Sequence, residues 1–153
     1  MNAIAEQTRV LIVTGAHLRA EAMDRPLAYL LREKALAWLR LHFPSLPSAT
    51  PVDPRIIVCS DLWYMNQDEL RAKPTISVGG PEVNAFTAYV ASRLPSLLAV
   101  EGKLIVQGEP NFDPPVVAVW GAHADQTTRA VAAFEQRYLK AFLRSSLRAP
   151  AVH

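Results

Sequence analysis

Apolar residues recur along this chain with two periods. Val10-Leu11-Ile12-Val13, Ile56-Ile57-Val58 and Val116-Val117-Ala118-Val119-Trp120 are continuous apolar runs, the pattern of strands covered on both faces. Ile76 and Val78, within Thr75–Val78, are β-branched and apolar at alternate positions and suit another buried strand. Leu97–Val100 and Lys103–Val106, split by Glu101-Gly102, read as a hairpin. Helical spacing appears three times. Leu27, Leu30, Leu31, Ala35, Trp38 and Leu39 line one side of a helix that Asp24 caps, Pro26 helps to start and His42 ends, with Arg32, Glu33 and Lys34 in water. Val83, Phe86, Thr87 and Val90 mark a second helix ending near Arg93. Ala130, Val131, Phe134, Tyr138, Ala141 and Phe142 mark a third, capped by Asp125.

Between these elements, residues 18–25 read as a connector with some helix, 66–72 as a short helix, and 108–115 as a loop rich in Gly, Pro, Asn and Asp. Pro44, Pro47, Pro51 and Pro54 prevent a regular helix and favour an extended surface loop, a connector or a docking segment. Residues 1–8 and 145–153 are expected to be flexible. The centre of the pattern is Thr75-Ile76-Ser77-Val78-Gly79-Gly80-Pro81-Glu82-Val83-Asn84: a strand, a glycine turn, and a helix whose first turn Pro81 is preset to begin. That is half of a βαβ unit. The whole predicts one α/β domain over residues 1–153. It is a three-layer sandwich around a mostly parallel sheet of about five strands, Rossmann-like or flavodoxin-like, with the hairpin as an antiparallel edge.

Composition narrows the classes. The 153 residues suffice for one core. A net charge of +2 without a basic run argues against nucleic acid. The single Cys59 allows no internal disulfide and fits a reducing compartment. No secretory leader pattern and no membrane-length apolar run is present, so a cytoplasmic, soluble protein with no membrane partner is expected.

Candidate chemistry gathers at the strand exits. If the strands are parallel, Thr14, Gly15 and His17, Ser60 and Asp61, Gly79, Gly80 and Asn84, and His123 and Asp125 share one sheet edge, where open α/β sheets bind ligands. The Gly79-Gly80 turn is a poor phosphate cradle: Pro81 removes an amide, Glu82 supplies a negative charge, and no nucleotide fingerprint is completed. Zinc would need His17, His123 and Asp61 or Asp125 to converge, yet no ligand pair has a short metal spacing. Cys59 or Ser60 with a histidine would be a nucleophile, but Cys59 follows an apolar run and Ser60 lacks the Gly-x-Ser-x-Gly elbow. Hence no catalytic residue, metal or cofactor is assigned. Trp63-Tyr64-Met65 is an aromatic cluster suited to covering the edge, packing a loop or facing a second chain.

Gly79-Gly80-Pro81-Glu82-Val83-Asn84, with the later strand, Gly121 and Asp125-Gln126-Thr127-Thr128-Arg129-Ala130, resembles the α/β module of archaeal S-layer proteins. That module has a Gly-Gly-Pro-x-x-Asn turn and an Asp-x-Thr-x-x-Ala helix start; the likeness covers residues 75–143. It implies a structural or adhesive module, with Asn84 and Asp125 fixing turns. The expectation is therefore a non-catalytic intracellular module for protein–protein interaction or self-association, using the proline-rich loop and Trp63/Tyr64. The alternative is a protein that binds a small ligand or nucleotide, a hydrolase included, at the strand-end edge.

Overall fold

The computed structural model describes residues 9–43, 53–101 and 104–147. Six strands form one mixed sheet: β1 (Val10–Thr14), β2 (Ile56–Ser60), β3 (Thr75–Val78), β4 (Ser96–Val100), β5 (Leu104–Gly108) and β6 (Val116–Gly121), in the order β2-β1-β3-β6-β5-β4. β2, β1, β3 and β6 are parallel; β5 runs antiparallel to β6 and to β4. The edge hairpin is present. It adds two strands to four parallel ones, so the sheet is larger and more mixed than its parallel half alone.

Every residue of β1 and β3 is buried because helices cover both faces. Val10 and Ile12 of β1, Ile76 and Val78 of β3, and Val117 and Val119 of β6 point to one face. They meet the apolar stripes of α2 (Arg25–His42), α5 (Ala124–Arg137) and α6 (Leu139–Leu147). Leu11, Val13 and Ala118 point the other way, against Tyr64 of α3 (Asp61–Met65) and Phe86 and Val90 of α4 (Ala85–Val90). A short α1 (Leu18–Met23) precedes α2, and a 3-10 turn (Asp68–Ala72) follows α3. Trp38 and Phe134 are core residues, as their spacing implies.

Several expectations are corrected. The final helix is two helices: the backbone turns at Tyr138 (φ −127°, ψ −20°), which exposes Ala141 and buries Leu139 and Leu143. Ser145 belongs to α6 and donates to the carbonyls of Asn111 and Phe112, so residues 145–147 do not fray. The short helix expected over residues 66–72 is present as the 3-10 turn Asp68–Ala72, and an unexpected helix, α3, precedes it from Asp61, where Ser60 caps it. Pro81 is not in a first helical turn; a turn over residues 81–83 intervenes and Asn84 is the cap of α4. Pro44, Pro47 and Pro51 of the proline-rich loop, like residues 1–8 and 148–153, lie outside the described residues. No helix among the described residues is long and apolar enough to cross a membrane.

Candidate functional site

The registers β1–β2, β1–β3 and β3–β6 bring Thr14, Ser60, Val78 and Val119 to one sheet edge, so the four polar exits do share a rim. The chain leaves β1 toward α2 on one face and β3 toward α4 on the other. This divergence opens the crevice where α/β sheets usually take ligands. Here the protein fills it. The buried Asn84 donates from Nδ2 to the carbonyls of Val13 (3.2 Å) and Val78 (2.9 Å), tying β1 to β3. Its Oδ1 accepts from the N–H groups of Phe86 (3.0 Å) and Thr87 (3.1 Å). Gly15 lies so close to the Val83 carbonyl that any Cβ would overlap it.

Asp61 completes the closure. Its Oδ1 accepts from Ala16 N–H (3.1 Å) and Leu62 N–H (2.7 Å), and its Oδ2 from Ala85 N–H (2.7 Å). Three strand-exit loops therefore meet on one buried carboxylate. The first four N–H groups of α4 are all bound: Ala85 by Asp61, Phe86 and Thr87 by the Asn84 side chain, and Ala88 by the Asn84 carbonyl. No amide remains there for a phosphate. The Ser60 hydroxyl accepts from Trp63 N–H (3.2 Å) as the cap of α3. Thr14 is buried, and its hydroxyl has no partner among the described residues.

The histidines stand apart from this network. Exposed His17 caps α1, its Nδ1 accepting from Arg19 N–H (3.1 Å). Exposed His123 precedes α5, its N–H donating to Gln126 Oε1 (3.1 Å). His123, not Asp125, occupies the cap position; Asp125 is exposed in the first turn, where its charge favours the helix dipole. Among the described residues, no group of three His, Cys, Asp or Glu is placed to hold a metal ion. Burial pushes the Cys59 thiol up to about 11, an effect Arg25 only partly opposes, so it stays protonated at neutral pH. The aromatic cluster divides. Tyr64 is fully buried, bonded to Thr75 Oγ1 (2.9 Å), and Met65 packs on the same core, while Leu62 is 58 % and Trp63 47 % exposed.

A cleft lies at the rim, between the Gly79-Gly80 turn, α1 and the start of α5. Asp24, Arg19, Glu82, Gly80, Gly121 and His123 are among its walls, and its volume is about 10 Å³, room for one water-sized group. No family model and no curated protein matches this chain. Asp24 is the residue whose role the sequence hid, since an Asp before Arg-Pro reads as a helix cap. Its backbone is helical (φ −91°, ψ −34°), so its side chain makes no cap hydrogen bond and turns to the sheet instead. Only 4 % of Asp24 is exposed, and a Cβ on Gly79 (φ 111°) would lie 2.5 Å from Asp24 Oδ2. Glycine at 79 thus both tolerates the left-handed backbone and makes room for the carboxylate.

Burial raises the Asp24 carboxyl to about 6, against a partial lowering by Arg19. Its folded value exceeds its unfolded value, so the native state binds this proton more tightly. Stability from this group is fully present below about pH 4 and is lost as pH rises from about 4 to 6. Asp24→Asn is therefore expected to stabilise the protein by about 2–3 kcal/mol at pH 7 and by almost nothing at pH 4. Urea unfolding at the two pH values checks this; an equal gain at both would contradict it.

Proposed function

We propose that this chain is a non-catalytic α/β module that associates with copies of itself. The exposed apolar rim above β1 and β2 carries the contact. Leu62 and Trp63 are the observation behind the proposal. They project from a helix whose first turn is pinned by Ser60 and Asp61, so two large apolar side chains are held in water on a rigid base. The Ala16–Asp61 hydrogen bond draws the β1 exit alongside, and with it Leu18, 85 % exposed. Large apolar side chains exposed on neighbouring loops favour protein contacts. The side chains of Ser60, Asp61 and Asn84 are engaged internally, and the cleft at Asp24 is far below the roughly 300 Å³ of an ordinary small-molecule site. Both observations count against a pre-formed nucleotide site.

We further infer a doubly wound, Rossmann-like or flavodoxin-like descent for the parallel half; helices leaving β1 and β3 on opposite faces support it. The Gly-Gly-Pro-x-x-Asn turn, like that of the S-layer module, is used here to lock the rim, in keeping with an adhesive role. The unpaired Cys59 suits a cytoplasmic setting.

Light scattering coupled to size exclusion tests the proposal. The native chain is expected to exceed the one-chain mass, increasingly so at higher concentration. Leu62→Asp with Trp63→Asp should return it to one chain while it stays folded, because about half of each residue is already in water. A native chain that is monomeric throughout would refute self-association.

A further inference from the structure

The cleft at Asp24 has a chemistry that the self-association proposal does not use. Asp24 is 4 % exposed, its side chain makes no cap hydrogen bond, and it lines a cleft sized for one small group, through which its carboxylate can be reached. A buried carboxylate left without donors is costly, and native proteins rarely tolerate one without a reason. The groups facing it are Arg19 from α1, Glu82 from the Gly79-Gly80 turn and His123 from the start of α5. Arg19 is already engaged by Glu82, at 3.4 Å on the surface. On Asp24's own side, Arg25 is turned to Glu21 and Tyr29. Two carboxylates thus share one guanidinium, and the inner one lacks a donor. The positive end of α5 also borders the cleft, but Asp125 in its first turn already answers it.

We propose that this cleft is a binding site for the primary ammonium group of a small amine. The ammonium is about the size of the water-sized cleft, brings the donors that Asp24 lacks, and neutralises the excess carboxylate. The rest of the amine extends past the Arg19–Glu82 pair to solvent. Both members of that pair are more than half exposed, so moving them aside disturbs no core packing.

Methylammonium chloride is the probe, followed by amide NMR of the full chain at pH 7. The expected result is a saturable shift of the Gly79, Gly80 and Gly121 amides. Tetramethylammonium, which has no N–H and is too large, should give none. Asp24→Asn should abolish the shift while remaining folded. Affinity should fall about tenfold per pH unit below 6, as Asp24 takes up its proton. Shifts that grow linearly, match those of sodium chloride or persist in Asp24→Asn would overturn the proposal. Should that variant fail to fold, the carboxyl carbon of Asp24 in the native chain decides. Its titration midpoint must move down in methylammonium, and an unmoved midpoint overturns the site. None of these readouts depends on association through Leu62 and Trp63, so the two proposals fail separately.

Discussion

Gly15→Ala is expected to destabilise the protein by about 5 kcal/mol or more and to lower its Tm by at least about 10 °C. The obstacle to the new Cβ is main chain: it would overlap the Val83 carbonyl oxygen and lie 2.8 Å from its carbon. Relief requires moving the 81–83 turn, and that turn carries Asn84 into its hydrogen bonds with β1 and β3. Retreat in the other direction meets the buried Ala20 of α1, whose Cβ is 3.1 Å away. Chemical unfolding at several denaturant concentrations measures the loss. A change below about 1 kcal/mol would mean that the turn is loosely held and the crevice not closed by it.

Asn84→Ala should cost about 3–4 kcal/mol. The variant loses a helix cap, worth about 1–2 kcal/mol, and leaves the buried Val13 and Val78 carbonyls without the donor they share, at about 1–3 kcal/mol. Asn84→Asp provides the discriminating control. A carboxylate still accepts from Phe86 and Thr87, but it places an oxygen where Nδ2 donated, facing two carbonyls. It should therefore rescue little of the alanine loss at pH 7. If the Asn84→Asp variant kept native stability, the cap alone would matter and the bridge between β1 and β3 would be incidental.

Much of the frame was legible from periodicity. β1 and β6 stand out as continuous apolar runs because helices cover both of their faces, and the hairpin stands out because Glu101-Gly102 interrupts two such runs. The rim was legible for the same reason: parallel strands deliver their exits to one edge. What the residues do there was not. Asn84 reaches a carbonyl 71 positions away, and Asp61 gathers amides from two distant loops; no local pattern encodes such contacts. The Tyr138 break was invisible because apolar residues keep a helical period across it, and packing of Phe142 and Leu143 into the core decides the turn. Asp24 reads as a cap because that is the ordinary use of Asp before Arg-Pro; only its helical backbone and the space at Gly79 reveal the other orientation. Tyr64 and Trp63 are neighbours in sequence, yet a single turn of helix buries one fully and leaves the other about half exposed.

Amide hydrogen exchange of the full chain over a wide range of protein concentration tests most directly where copies meet. Self-association through the apolar rim predicts that amides of residues 16–18 and 62–64 gain protection as concentration rises, while those of β4 stay constant. Protection that rises instead along β4, the largely exposed edge strand, would point to edge-to-edge pairing of sheets and contradict the rim. Exchange independent of concentration at every amide would leave no contact between copies at all.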